Sequence, residues 1–297
     1  MRRVTILGSS SFLLHYAGTR KLSSCDSSRK RYTPISLKDK VVLITGATAG
    51  IGEACAWRFA EEGAKLVLVG RRKEKLLNLQ HELQDEFKYL KCHIEAISVT
   101  DTEKVMALTE TLPSEFREVD ILVNNAGLAL GVSSVDTNNI DDAKTMLETN
   151  VLGTIAMCAA FTPGMKLRGY GHIINMGSIA GYVTYATGSV YNASKFAVLG
   201  FTTAARHDLI ATPIRVSHIS PGLVGNTEFS YVRLKDGEKA KAVYDNIQHL
   251  LPEDVADNVI YAATRPSHVQ VADIITLCTN QSGPRDLARI GPGMGKL

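Results

Sequence analysis

The sequence predicts an α/β fold, a single doubly wound parallel sheet of about seven strands with helices on both faces. Three observations carry that expectation. From residue 38 onward, short β-branched runs alternate with longer helix-compatible stretches, the order of βαβ units rather than of an antiparallel sheet. The short runs are almost continuously apolar, as burial on both faces requires. The first of them ends in a glycine-rich turn that opens directly into a helix-compatible segment.

The strands are expected at residues 41–45, 65–69, 91–97, 120–123, 172–176, 214–220 and 273–277. No internal repeat, low-complexity tract or Pro/Gly-rich linker interrupts residues 38–282, so residues 37–283 read as one domain. A basic leader, residues 1–36, precedes it. A Gly/Pro-rich tail, residues 284–297, follows and is expected to be loosely ordered.

Composition narrows the function classes. With 45% hydrophobic and 21% charged residues the chain reads as a soluble globular protein. No apolar run approaches the ~18 to 20 residues that a membrane helix needs. The formal charge of +3 misleads, because the leader holds seven Lys/Arg against the single acid Asp26, and the remaining 26 basic and 29 acidic residues leave the body net negative. Nucleic-acid binding by the body therefore gains no support. The five cysteines form no CxxC pair, which fits neither a disulfide framework nor a zinc site, and they read as reduced thiols. Cys92 and His93 are adjacent in a strand, where neighbours face opposite sides, so no metal is expected there.

The leader is Arg- and Ser-rich and poor in acids, with apolar patches at residues 4–7 and 12–14, the composition of a mitochondrial transit peptide. A cytoplasmic extension is the alternative. Ser9, Ser10 and Ser11 break the apolar stretch that a secretory signal would need. At the other end Gly295-Lys296-Leu297 matches a peroxisomal address except for Gly where Ser is expected.

The turn after the first strand reads Thr45-Gly46-Ala47-Thr48-Ala49-Gly50-Ile51-Gly52. Gly46 and Gly50 let the backbone turn tightly and approach a pyrophosphate, the following helix offers free N–H groups to its charge, and Gly52 permits close helix-to-strand packing. Strand, glycine turn and helix in that order make a Rossmann-type dinucleotide site, with Gly46, Thr48, Gly50, Ile51 and Gly52 around the cofactor. The second strand ends in Val69-Gly70-Arg71-Arg72, where an NAD site usually places an acid for the ribose hydroxyl. A guanidinium can instead pair with a 2'-phosphate, so Arg71 and Arg72 point to NADP(H).

A second constellation lies downstream. Ser178 follows the fifth strand, and thirteen residues later Tyr191-Asn192-Ala193-Ser194-Lys195 opens a helix. Tyr191 and Lys195, four apart, share one helix face. A tyrosine of pKa ~10 is a weak base at neutral pH, and a neighbouring ammonium would stabilise its phenolate, so Lys195 is expected to activate Tyr191. Ser178 can hydrogen-bond a substrate oxygen whose charge changes during reaction.

With these motifs in hand, residues 38–283 resemble the short-chain dehydrogenase/reductase family: the glycine turn, Asn124-Asn125-Ala126-Gly127 after the fourth strand, Asn150, Ser178, Tyr191 and Lys195 at catalytic positions, and Pro221-Gly222 after the sixth strand. The resemblance implies acid/base catalysis by Tyr191 with substrate held by Ser178 and Tyr191, a water held by Asn150 that links Lys195 to solvent, and a nicotinamide ribose bound by Tyr191 and Lys195. It further implies that Ser98, Val99, Asn125, Ala126, Gly127, Pro221, Gly222 and Val224 line the cofactor, and that the protein is a homodimer or homotetramer built partly through the Tyr191 helix. One position departs, since Ile97-Ser98-Val99 has serine where many members carry an aspartate against adenine, and weaker anchoring is expected there.

Two stretches, residues 124–131 (NNAGLALG) and 221–233 (PGLVGNTEFSYVR), together with Gly70-Arg71-Arg72, resemble the NADP-dependent 3-hydroxy acid dehydrogenases, the branch that includes serine and allo-threonine dehydrogenases. That implies oxidation of the 3-hydroxyl of short hydroxy acids, with the loop after Pro221 closing over the site and Arg233 binding the carboxylate. A broad carbonyl or 3-ketoacyl reductase stays open on the same fold, as does a non-catalytic NADP(H)-sensing module, although the latter has no need of Ser178, Tyr191 and Lys195 together.

Overall fold

The computed structural model describes residues 34–289; the targeting readings made on residues 1–33 and on Gly295 to Leu297 lie outside the described residues. Seven strands form one sheet, β1 (Val41–Thr45), β2 (Lys65–Val69), β3 (Cys92–Glu95), β4 (Ile121–Asn124), β5 (Gly171–Met176), β6 (Ile214–Pro221) and β7 (Asp273–Thr276), all pairing parallel in the order β3-β2-β1-β4-β5-β6-β7. Chain order reverses between β1 and β4, and the carboxyl ends of those strands frame the crevice in which such sheets bind ligands.

The alternation of side chains along each strand feeds two cores. On one face Val42 and Ile44 pack with Phe59 of α1 (Gly50–Glu61), Leu76 and Leu83 of α2 (Lys73–Glu86) and Val255 and Val259 of α9 (Pro252–Ala263). On the other, Val41 and Leu43 pack with Val105 of α3 (Thr102–Thr111), Met157 and Phe161 of α5 (Gly153–Arg168) and the flank of α6 (Ser189–Asp208). Each fully buried side chain of this size contributes about 1.5 to 3 kcal/mol, so the apolar runs hold the layers together. Three smaller helices, α4 (Ile140–Leu147), α7 (Phe229–Leu234) and α8 (Gly237–Ala242), lie in the crossovers around the crevice.

Local chemistry sets the element ends. Asp101 accepts from Lys104 N (3.2 Å) and caps α3, while α5 stops at Gly169, whose φ of +66° suits a left-handed helix end. Buried Arg215 donates to the carbonyls of Ala262, Ala263 and Arg265 (3.0–3.1 Å), satisfying the carboxyl end of α9 with a cation. Two sheet features differ from the sequence reading. β3 ends at Glu95 rather than 97, because the chain turns at Ser98, whose carbonyl accepts from Asp101 N (3.1 Å) to launch α3. Strand β7 is an edge, with its side chains only partly covered, instead of buried on both faces.

Nor is the start of the tail loose. Residues 280–288 form a turn in which Ser282 N donates to Asp286 O (3.0 Å) and Ala288 N to Asn280 O (2.9 Å), and Leu287 packs on Ile247, Leu250 and Cys278. The four cysteines within the described residues are free and buried, and no cluster of metal-ligating side chains occurs among them. No helix of the described residues is long and apolar enough to cross a membrane.

Candidate active site

A cleft with a cavity volume of about 460 Å³ runs along the carboxyl edge of the sheet from Arg71 to Tyr191. Its floor at one end is the glycine turn. Gly46 and Gly50 have φ of +67° and +58°, and a Cβ at Gly46 would lie 2.9 Å from Ala126 Cα, too close to be tolerated. A Cβ at Gly52 would collide with the Gly46 carbonyl and the Asn125 amide, so Gly52 packs behind the turn and does not line the cleft. Asn125 holds the turn in place: its side chain donates to Thr45 O (3.0 Å) and Gly46 O (3.3 Å), and its backbone N–H donates to Thr45 Oγ1 (3.0 Å). Of the residues after β4, Asn125, Ala126, Gly127 and Leu128 line the cleft.

Helix α1 has Ala49 at its N-cap position and no side-chain cap, which leaves its first-turn N–H groups for an anion. Beyond them lie Thr48 and Arg72, bonded to each other (2.8 Å), and Arg71, which is exposed and makes no ion pair among the described residues. Ser98 and Val99 form the wall below, Ser98 hydrogen-bonded to Thr100 Oγ1 (2.8 Å). Pro221, Gly222 and Val224 close the opposite side. This cradle fits a dinucleotide with an extra phosphate: bare glycines, uncapped helix N–H groups and a guanidinium without a carboxylate partner among the described residues line one cleft.

At the other end Ser178, Tyr191 and Lys195 come together, all at most 9% exposed. Ser178 begins a 3₁₀ turn, Ile179–Gly181, and its hydroxyl accepts from Ala180 N (3.1 Å). Lys195 Nζ donates to Met176 O (3.0 Å) and stands 5.8 Å from the Tyr191 ring. Burial pulls the Lys195 ammonium down to about 8. The same burial pushes the Tyr191 phenol far up, while its hydrogen bond to Ser178 and the charge of Arg233 pull more weakly the other way. Burial is thus the largest influence on both groups, raising the phenol and lowering the ammonium.

Asn150 sits in a π-helical turn, Glu148–Leu152, behind the cleft wall rather than in it. Its side chain is engaged with Leu128 N and O (2.8 and 2.9 Å) and Ser194 Oγ (3.0 Å). A Cβ at Gly127 would lie 3.3 Å from Asn150 Oδ1 and 3.7 Å from Lys195 Nζ, so Gly127 keeps the space between them open.

The segment after β6 roofs the cleft. Thr227 lies over Gly50, and Glu228 bridges Arg72 and Lys75 (2.6 Å each). Phe229 meets the Tyr191 ring edge-on at 5.7 Å. Arg233 is anchored through Nε to Gly131 O (3.1 Å) and through Nη1 to the Tyr185 hydroxyl (3.0 Å), and its guanidinium lies 5.9 Å from the Tyr191 ring. Sequence reasoning missed Tyr185, Glu228, Phe229 and Arg285 in this lining. Glu228 and Phe229 lie in the 221–233 stretch expected to close over the site, whereas Tyr185 and Arg285 belong to no local motif and only their place in the fold brings them here.

A parallel sheet in this order, a glycine-turn cradle and a Ser/Tyr/Lys set at one crevice define a nucleotide-dependent oxidoreductase of the short-chain type. Residues 40–236 match the short chain dehydrogenase family, and the chain belongs to it. The NADP-dependent 3-hydroxy acid dehydrogenase YdfG of Salmonella typhi is 45% identical over 243 residues, 82% of this chain and 96% of that protein. The NADP-dependent 3-hydroxy acid dehydrogenase of Schizosaccharomyces pombe is 42% identical over 255 residues, 85% of this chain and 98% of its own. Among solved structures, the closed form of serine dehydrogenase complexed with NADP+ superposes with a TM-score of 0.78 at 44% identity, covering 81% of this chain and 96% of that one.

Proposed function

We propose that this protein is an NADP-dependent dehydrogenase that oxidises the 3-hydroxyl of small hydroxy acids, with Tyr191 as acid/base. The observation that carries the reading is Arg233, a guanidinium without a carboxylate partner among the described residues, held within 6 Å of the Tyr191 ring. There it can accept a substrate carboxylate while the hydroxyl reaches Tyr191 and Ser178. The names of the matched relatives agree with both cofactor and substrate class.

NADP would lie with its pyrophosphate at the start of α1, its 2'-phosphate at Arg71 and Arg72, its adenine against Ser98 and Val99, and its nicotinamide ribose at Tyr191 and Lys195. Bound there, it supplies the acceptor for the hydride that leaves the carbinol carbon. Ser178 steadies the substrate oxygen by hydrogen bonding. Tyr191 takes the hydroxyl proton in oxidation and returns it in reduction, and Lys195, with the water assigned to Asn150, passes that proton to solvent. Reduction uses Tyr191 as the acid, and oxidation uses it as the base once its proton has left by this route.

The test is NADPH formation, followed by absorbance, from L-serine, L-allo-threonine, 3-hydroxyisobutyrate and 3-hydroxypropionate, with Tyr191→Phe as control. Turnover of a hydroxy acid that disappears in the variant supports the reading. NADP binding with no hydroxy acid turned over would favour a broad carbonyl reductase, which the apolar walls formed by Leu128, Phe229 and Val232 could also serve. Binding without any turnover of ketones or aldehydes would leave a sensor module.

A homodimer or homotetramer through α6 follows the family resemblance and is supported by Phe196, Leu147 and Leu152 being exposed near that helix; light scattering on the purified protein decides it. The mitochondrial reading of residues 1–36 is tested by fusing them to a fluorescent reporter, with a cytoplasmic signal as the opposing outcome.

A further inference from the structure

Two guanidinium groups meet one aromatic ring at the mouth of the cleft. Arg233 Cζ lies 5.5 Å from the Tyr185 centroid and 5.9 Å from that of Tyr191, while Arg285 Cζ lies 5.0 Å from Tyr185. Arg233 therefore touches both the reacting tyrosine and its neighbour, and Arg285 extends the positive charge along the Tyr185 side. Neither arginine has a carboxylate partner among the described residues. Glu228, the one acid lining the cleft among the described residues, is committed to Arg72 and Lys75 at the far end. The cofactor phosphates have their own partners at α1, Arg71 and Arg72, so they do not neutralise this pair.

Arg285 is held where it is. It stands at the tip of the turn in residues 280–288, whose base is fixed by Gln281: Oε1 accepts from Leu223 N (2.9 Å), and Nε2 donates to Gly283 O (3.0 Å). The cation–π contact with Tyr185 holds the guanidinium beside the cleft, where its N–H groups can meet an anion. A short hydroxy acid that places its carboxylate at Arg233 leaves Arg285 without a counter-ion.

We propose that Arg285 is a specificity-determining residue that receives a second acidic group, so that the preferred substrates are hydroxy dicarboxylic acids or hydroxy acids with another anion beyond the carbinol carbon. This rests on the hydroxy acid reading above. Such a substrate neutralises Arg233 with one carboxylate and Arg285 with the other, and a substrate with a single carboxylate satisfies only the first.

The experiment compares kcat/KM with NADP for malate and 3-hydroxyglutarate against 3-hydroxypropionate in the wild type and in Arg285→Ala. The variant should lose at least tenfold on the dicarboxylates, through KM, and stay within twofold on the monocarboxylate. Equal losses on both, or no loss on either, overturn the proposal. Calorimetric titration of glutarate and of butyrate into the NADPH complex needs no turnover: the wild type should bind glutarate more tightly, and Arg285→Ala should erase the difference. No preference in the wild type overturns the second-anion site. A preference that depends on Arg285, in a protein that oxidises no hydroxy acid, keeps the site and refutes the substrate reading instead. Arg285 is exposed, and an unchanged melting temperature in the variant shows that the fold is intact.

Discussion

Replacing Lys195 by methionine should abolish turnover and, at the same time, stabilise the free protein at neutral pH. Lys195 is 7% exposed, and burial lowers its pKa from 10.5 to about 8. Below pH 8 the ammonium is charged in both the folded and the unfolded chain, and folding carries the full cost of desolvating it. Between about pH 8 and 10.5 the unfolded chain holds a proton that the folded one lacks, so stability rises with pH across that window. At about 1.4 kcal/mol per pKa unit, the cost below pH 8 is about 3 kcal/mol.

Methionine matches the lysine stem in length and flexibility and removes the charge. It also removes the charge-assisted hydrogen bond to the Met176 carbonyl, a loss of about 1.5 to 3 kcal/mol. The balance is a net gain of about 1 kcal/mol near pH 7. Urea unfolding without cofactor reads it directly, as a higher midpoint at unchanged slope. Near pH 10 the wild-type lysine is neutral and keeps its hydrogen bond, so the gap should close or reverse. A variant less stable than the wild type near pH 7, or a gap that ignores pH, would refute the assignment of burial as the dominant force on Lys195.

Other expectations follow from the same geometry. Gly52→Ala drives a methyl group into the Gly46 carbonyl and the Asn125 amide, so it should cost about 1 to 3 kcal/mol in unfolding experiments and weaken NADP binding measured by calorimetry. Arg71→Ser should lower kcat/KM for NADP at least tenfold while leaving NAD unchanged; equal effects on both cofactors would remove Arg71 from the 2'-phosphate site. Burial next to Lys195 and Arg206 outweighs Asp273 and lowers His218 from 6.5 to about 4, so folded protein binds fewer protons than unfolded chain across that window. Stability should therefore fall as pH drops from about 6.5 to about 4, and His218→Gln should flatten that slope in thermal melts.

The sheet was legible because its physics is local. A parallel strand buried on both faces must be apolar along its length, and a helix between two such strands must be long enough to return the chain, so β1, β2, β5 and β6 stand out in the residue pattern. The edges were less clear for the same reason run backwards. β7 needs cover on only part of its surface, so Asp273 and Thr276 sit in a strand that has no continuous apolar run. Strand β3 stops early because Ser98 turns the chain, and nothing in the apolar spacing of residues 91–97 registers a turn.

The site divides in the same way. Gly46, Gly50 and Gly52 are demanded by backbone geometry, and Tyr191 and Lys195 by one turn of helix, so each leaves a pattern within a few residues of chain. Asn125 also leaves a pattern, and beside lining the cleft its side chain braces the turn through Thr45 and Gly46. Tyr185, Glu228 and Arg285 are demanded by what must cover or recognise a ligand. That demand acts across the fold, between residues more than forty positions apart in the case of Glu228, Tyr185 and Arg285, and no local spacing encodes it. The turn that fits a dinucleotide is thus readable from eight residues, whereas the choice of substrate, on the reading proposed above, falls to the roof after β6 and the tip of the C-terminal turn. Variation in those two segments can redirect the enzyme while its cofactor cradle and its Ser178, Tyr191 and Lys195 remain as they are.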